Sequence, residues 1–540
     1  MNGDDNQVKP GNSAAEEEQQ QNEVKVGEPE VPLPRSKSLS DCAISSWIFQ
    51  RLIGFCYLAA FASMACQITA LVGHNGILPL DRLIAYLHKG GANCLTLGSL
   101  AWFDSSDLFL QGMCFAGILA SVLVTAGVLP PVSLGLCWLL WLSIVNVGQE
   151  FLCFQWDILL LEAGFLAIFL APMRILDLPF APGKSPKWFA PHVVSVWLFR
   201  WLLFRLMLES GLCKINSGDE TWRSLTALNY HFHTQPLPTP LAWLADKLPL
   251  PLLTASTFIT FVIELLGPFC IFVKKTRLIG SILLASLQIV IALTGNYAFF
   301  NLLSFALCLF LIDDQTWLKQ LSSVRRAKAS PQQSTSLRLW LPRLYEKIAA
   351  ILCASIISIF SFMQLLSLTL GVPTPLIALT RSLERLYLFN SYGLFATMTT
   401  VRDEIVVEGS LDGRTWKQYE FKYKPGNMFM PPCIVAPGQP RLDWQMWFAS
   451  LGDVSQSPWF AQFIVRLFQN SPEVLGLLKS NPFPDQPPAY LRAQLYTYTF
   501  SSWDELLHGG QWWRSQYKGE FLPTISARAV EQMTSGSGHL

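Results

Sequence analysis

Apolar residues come in long blocks between residues 48 and 370, broken by short polar stretches. The blocks cover about 48–72, 108–128, 132–146, 154–173, 193–208, 251–273, 278–294, 298–312 and 348–370. A helix rises 1.5 Å per residue and needs about 20 residues to cross hydrocarbon. The pattern therefore predicts a polytopic α-helical membrane protein with about nine spans, an odd number being favoured. Blocks shorter than 20 residues require tilt or shielding by neighbouring helices. Residues 46–372 form this multi-pass domain, with a polar loop at about 209–250.

The period changes near residue 373. IVVEGS and TWKQYEFKY flank LDG, and Asp412-Gly413 reads as a hairpin turn. The alternation puts Tyr419 and Phe421 on one face and Trp416 on the other. RLDWQMWFASLG and PWFAQFIVRLFQN read as helices. In the second, Phe460, Phe463, Ile464 and Leu467 form an apolar stripe that leaves out Arg466, as expected of an amphipathic surface helix. LRAQLYTYTFSS alternates as a strand, and the aromatic, basic QWWRSQYKGEFLPTIS follows. A β-rich α+β domain is thus expected over 373–525, with a flexible tail over 526–540.

Charge sets the orientation. With nine spans, Arg35, Lys37, Arg51, Arg174, Lys184, Lys187, Lys274, Lys275, Arg277 and the cluster from Lys319 to Lys347 fall on one side. The other side has Arg82, Lys89, Lys214, Arg223 and Lys247. The richer side is cytoplasmic by the positive-inside rule. The N-terminus is then cytoplasmic and the C-terminal domain lies across the membrane.

Composition agrees with a membrane protein. The chain is 51% hydrophobic and 14% charged, against about 25% charged in soluble domains. A net charge of +1 excludes the basic surface of a nucleic-acid binder. The first 30 residues hold eight acids against Lys9 and Lys25. With few aliphatic residues they cannot bury enough surface to fold, so 1–45 reads as a disordered acidic cytoplasmic tail. Most of the 12 cysteines lie in apolar runs, where they act as small hydrophobes. No CxxC and no N-x-S/T acceptor occurs.

Ionisable residues fall well inside the blocks at Asp157, Glu162, Arg200, Arg205 and Glu264. Charges at membrane depth are costly and face protein or water. Asp157 or Glu162 is expected to pair with Arg200 or Arg205. The loop ESGLCKINSGDETWRSLTALNYHFHTQPLPTP holds the richest polar set, including Lys214, His231 and His233. On a strand the two histidines would share a side, where a metal would need Asp219 or Glu220 as a third ligand. An acid–base role for Lys214 with a histidine is the other chemical reading. The favoured reading is structural: charges pairing with one another, and Trp222, Tyr230 and Phe232 anchoring the loop. No metal or cofactor is assigned. No GxSxG, P-loop or HExxH motif is present.

Several segments carry a family resemblance. They are SIVNVGQEFLCFQWDILLLEAGFLAIFLAP, RWLLFRLMLESGLCKI, TWRSLTALNYHFHTQPLPTP, YEFKYKPG, RLDWQMWFA, NPFPDQPP and the final WWR. Together they resemble the lipase maturation factor family from about residue 50 to 525. The resemblance implies a multi-pass protein of the endoplasmic reticulum membrane with a lumenal C-terminal domain. It implies clients among immature dimeric lipases such as lipoprotein lipase, with endoplasmic reticulum chaperones as further partners beside the membrane lipids. It implies no catalytic residue. The chain lacks a KDEL-type ending, so retention is expected from elsewhere. The membrane half is also similar to vitamin K-dependent carboxylase-like membrane domains, which keeps an enzyme centred on Lys214 and His231 as the alternative. A transporter using Asp157, Arg200 and Glu264 ranks third. For a folding factor, Trp444, Met446, Trp447 and Phe448 form either a client-facing patch or core.

Overall fold

The computed structural model describes residues 3, 40–91, 93, 97–178, 188–322, 355–366 and 385–536. The expected N-terminal tail lies almost wholly outside them, and α1 already begins at Ala43. The principal helices of the first half are α1 (Ala43–Ala65), α2 (Leu80–Lys89), α3 (Asp107–Ala126), α4 (Pro130–Val147), α5 (Gln155–Leu170) and α6 (Val193–Asn216). They continue as α7 (Leu228–Thr234), α8 (Pro240–Asp246), α9 (Leu250–Leu266), α10 (Arg277–Thr294), α11 (Phe300–Cys308) and α12 (Ser355–Leu366).

Every apolar block overlaps one of these helices. Among the described residues, five helical segments are long and apolar enough to cross a membrane: α1, α3, α4, α9 with its 3₁₀ extension to Ile271, and α10. α5 has 16 residues, and α6 carries Arg200, Arg205, Glu209 and Lys214 within its 24. Both are enclosed by neighbours that supply partners for their charges. Close approach of α1 and α3 depends on Gly117, where a Cβ would run into the Phe61 ring. Gly127 ends α3 at φ +78°, and a side chain there would meet Arg51.

Helix ends gather into two groups. Asp314 N donates to Asp41 O at 2.7 Å, Lys274 reaches Asp41 at 3.5 Å, and Arg51 reaches Asp177 at 3.3 Å. These contacts join the first turns of α1 and the residue before it to the breaks after α5, α9 and α11. The C-terminal region packs on the opposite ends, at the finish of α1, α4, α6 and α10. Much of the basic set on which the orientation rests, including Arg325, Arg326, Lys328, Arg338, Arg343 and Lys347, lies outside the described residues.

The C-terminal region is a four-stranded antiparallel sheet with flanking helices. Its strands are β1 (Arg402–Ser410), β2 (Lys417–Gln418), β3 (Tyr490–Phe500) and β4 (Trp513–Ser526), in the order β2-β1-β3-β4. Glu408 pairs with Gln418 across the expected hairpin. Asp412 shapes that turn by accepting the amides of Arg414 and Thr415 at 2.8 and 2.7 Å. The helices are α13 (Arg441–Ala449), α14 (Pro458–Phe468), α15 (Trp503–Gly509) and α16 (Ala527–Gly536). The Phe460, Phe463, Ile464 and Leu467 stripe is buried. Arg466 leaves it to donate to Gly76 O at 2.7 Å. α15 starts with a reciprocal Ser502–Glu505 capping box and ends at Gly510 with φ +65°. Of the segment expected as a tail, Ala527–Gly536 is helical, and residues 537–540 lie outside the described residues.

Candidate functional site

The chemistry-bearing residues converge where the helical half meets the C-terminal region. Here Glu162 of α5 and Arg205 of α6 form a fully buried ion pair. The segment just before β1 completes their shell. Asn390 O accepts from Arg205 at 2.8 Å, while Asn390 Nδ2 and the Tyr392 hydroxyl donate to Glu162 Oε2 at 2.9 and 2.8 Å. The Tyr392 amide donates to Glu209 Oε2 at 2.7 Å, and Gly393 N donates to Gln155 Oε1 at 3.0 Å. Each carboxylate is thereby tied to a donor from the other half of the chain. Removing one partner of such a pair costs several kilocalories, because the other charge is left dry.

Of the expected pairings of Asp157 or Glu162 with Arg200 or Arg205, Glu162–Arg205 is the one present, and Asp157 takes a different partner. It pairs with neither Arg200 nor Arg205, but with Arg441 at the start of α13, by two bonds of 2.8 Å. Arg441 also donates to Phe151 O at 2.7 Å. The fork geometry suits guanidinium, whose planar donors match a carboxylate. Gln439 adds to the joint: its Oε1 accepts from Trp156 Nε1 at 2.7 Å and its carbonyl from Gln67 at 2.8 Å. Among the described residues Arg200 makes no carboxylate pair. It donates to Phe310 O at 3.0 Å and to Cys42 Sγ at 3.3 Å.

The polar loop is largely helical. His231 and His233 lie on α7, not on a strand. Two residues apart on a helix, they point to different sides. His233 Nδ1 is 2.7 Å from Asp246, which Lys247 also reaches at 3.0 Å. Burial alone would raise Asp246, but its hydrogen bond with His233 and the Lys247 ammonium hold its carboxyl below the usual range. His231 lies 3.4 Å from the Tyr297 hydroxyl, which donates to Gln235 at 2.7 Å. Part of the residue reaches the surface, yet its ring is enclosed by Phe232 and Phe395. Burial, followed by Lys214 and His233, pushes its pKa down to about 4. Among the described residues, no group of three His, Cys, Asp or Glu side chains is placed to hold a metal.

Lys214 is fully engaged. Its ammonium donates to both oxygens of Glu264, at 2.9 and 2.8 Å, and to Ser210 O at 3.0 Å. It also faces the Trp222 ring at 5.3 Å. The expected pairing of loop charges among themselves thus holds for His233, Asp246 and Lys247, while Lys214 looks inward to α9. Trp222 and Phe232 are buried rather than anchors at an interface; Trp222 Nε1 donates to Phe395 O at 2.9 Å.

Three members of the expected aromatic patch are core. Trp444, Met446 and Trp447 are buried. Trp444 packs at 4.9 Å on Trp156, and Trp447 donates to Thr234 O at 2.8 Å. Phe448 is 44% exposed. It borders a cleft of about 250 Å³ with Glu150, Gln445, Leu451 and Trp459. Burial pushes the nearby Asp443 up to about 6 against the amides of Lys424 and Tyr423 that it accepts.

Sequence reasoning missed Asn390, Tyr392, Arg402, Gln439 and Arg441. Arg402 donates to the carbonyls of His233, Gln235 and Pro236 at the end of α7, and forms a buried ion pair with Glu404 at 2.7 Å. A cation is favourable at a helix C-terminus. The available signal was an arginine at the head of a strand with an apolar middle, Ile405-Val406-Val407, and nothing in the local pattern named its partner.

Comparison with known proteins follows the same two-part division. The model of the lipase maturation factor transmembrane domain matches residues 44–319, and that of the lipase maturation factor C-terminal domain matches 388–523. Lipase maturation factor 2 of Gallus gallus is 36% identical, covering 87% of this chain and 80% of the relative. Lipase maturation factor 2 of Homo sapiens is 35% identical, covering 89% and 82%. Lipase maturation factor 1 of Mus musculus is 31% identical, covering 90% and 88%. No solved structure matches the chain. From its helical half through its C-terminal sheet, the chain belongs to the lipase maturation factor family.

Proposed function

We propose that this protein assists the maturation of secreted lipases from within the endoplasmic reticulum membrane. The observation that carries the reading is similarity through both family domains, over 44–319 and 388–523. Nine crossings are proposed, with the N-terminus cytoplasmic and the C-terminal domain lumenal. Support comes from the packing of the C-terminal region on the ends of α1, α4, α6 and α10, opposite Asp41 and Asp314. An immature client exposes apolar surface and open strand edges. The cleft beside Phe448 and Leu451 is the surface proposed to meet it.

Two experiments test this. In cells lacking their own factor, the full chain is expected to restore lipase secretion and specific activity. His231→Ala/His233→Ala is expected to restore them too, while Phe448→Asp/Leu451→Asp accumulates normally without restoring them. Failure of the full chain to rescue any lipase would overturn the client assignment. For orientation, Gly413→Asn creates an N-x-T acceptor with Arg414 and Thr415 on the exposed turn. Asparagine tolerates the φ of +72° there. A glycosylated product supports the lumenal placement, and an unmodified chain in the membrane fraction overturns it.

A further inference from the structure

The C-terminal region carries an apolar edge that its own core does not use. On α15, Trp503 is 50% exposed and Leu507 is 70% exposed. Four residues apart, they share one helical face. Asp504 and His508 form the next stripe, paired with each other at 2.9 Å in solvent. α15 is held in place by its capping box and by Glu505, which Arg514 meets at 2.6 Å. Its exposed face is therefore presented by a rigid helix.

The surroundings identify what covers that face. The Trp503 ring stacks edge-on at 4.6 Å against Trp243 of α8, and Trp243 donates to Ser501 at 3.3 Å. α8 also exposes apolar residues, Leu241 and Leu244, and the connection to α9 exposes Leu248. Two residues later α9 begins, with Leu250, Leu252, Phe258 and Ile259 open along its length. α9 is one of the helices long and apolar enough to cross a membrane. Exposed apolar residues thus follow one another from the side of α9 through α8, which the Trp243–Trp503 contact joins to α15. Lys247 lies at this level, its ammonium over the rings of Trp243 and Phe500 at 5.4 and 6.0 Å. Tryptophan with a nearby lysine is the composition favoured where hydrocarbon gives way to headgroups.

We infer that Trp503 and Leu507 dip into the lipid surface beside α9, so that α15 docks the C-terminal sheet onto the bilayer as well as onto the helices. The occupant is the headgroup–acyl boundary of the leaflet. This rests on α9 being a span, which the experiment checks separately.

The test places a photoreactive benzophenone amino acid at Leu507 in the full chain, reconstituted in phosphatidylcholine nanodiscs. The same probe goes at Phe258 on α9 and at Leu411 in the β1–β2 turn. The expected result is a phospholipid adduct at Leu507 and Phe258 and none at Leu411. An adduct at Phe258 but not at Leu507 overturns the docking of α15. No adduct at Phe258 overturns the spanning of α9, and the docking with it. In microsomes, a protein adduct at Leu507 in place of lipid would assign the face to a protein partner and overturn the proposal. As a second readout, Trp503→Ser/Leu507→Ser is expected to leave the fold intact while making the 509–511 turn more open to protease in nanodiscs. Equal cleavage of both forms would count against a lipid contact.

Discussion

Arg441, from the C-terminal region, grips Asp157 of α5 through two bonds of 2.8 Å, although 284 positions separate them in sequence. The pair makes the two halves one folding unit. Neither residue has another partner of opposite charge within the joint, so each half carries a buried charge that only the other satisfies.

Arg441→Ala is accordingly expected to destabilise the protein by about 3–5 kcal/mol, because it leaves Asp157 buried and unpaired. Asp157→Leu/Arg441→Met should recover most of that loss. Thermal unfolding in detergent and proteolytic release of the C-terminal region measure both. A single variant as stable as the double would show that Asp157 finds water or another donor.

Truncation after residue 390 fits the same argument. It removes Tyr392 and Arg441 together, leaving Asp157 and Glu209 without these donors and Glu162 without the Tyr392 hydroxyl. The expected product is a misfolded remnant, detected as rapid turnover in cells.

Tyr392→Phe deletes one hydroxyl from the Glu162 shell. A hydrogen bond to a charged group contributes about 1.5–3 kcal/mol, and a loss of that order is expected in the unfolding midpoint. Asn390 still donates to the same carboxylate oxygen, so the effect should be smaller than that of Arg441→Ala.

The His231 region predicts a pH dependence. Its folded pKa of about 4 lies below the usual 6.5. Between these values the unfolded chain binds the proton and the folded one does not. Stability from this group is therefore complete above pH 6.5 and falls as pH drops towards 4. Asp443, raised from 3.8 to about 6, acts in the opposite sense and loses stability as pH rises through that window. Comparing the native chain with His231→Phe isolates the histidine. The variant should lose less stability than the native chain between pH 6.5 and 4, and parallel curves would refute the neutral buried histidine.

Lys214→Met/Glu264→Leu replaces an internal ion pair with apolar side chains of similar size. Such replacements are often neutral or stabilising. Lipase rescue should persist in this variant. Its loss at normal expression would restore a chemical role to Lys214.

Much of the architecture was legible in the pattern of the chain. Each apolar block falls on a helix, because a long run of aliphatic side chains favours a structure whose backbone bonds close within the segment. The hairpin at Asp412-Gly413 and the alternation in β3 were equally local. The strand geometry that would have set His231 and His233 on one side is not adopted: the polar loop is helical from Leu228 to Thr234, and the two rings diverge. The charges in the blocks announced themselves by their cost in hydrocarbon, but their partners did not. Glu162 and Arg205 sit on adjacent helices and were within reach of a sequence argument. Asp157 takes its partner from a residue far along the chain.

The aromatic patch teaches the same lesson. RLDWQMWFA shows an obvious concentration of rings, and composition alone cannot say which neighbour they meet. Trp444 and Trp447 turn inward to Trp156 and Thr234 once α13 is pulled onto the helices by Arg441. Only Phe448 stays open. The sequence by itself determined where the apolar helices, the hairpin and the long strand begin, since hydrophobic periodicity and turn chemistry act between near neighbours. The tertiary structure alone decided which charges are satisfied, which aromatics are covered and which face remains for lipid or client. Those outcomes depend on desolvation across contacts between distant segments, and no local pattern records them.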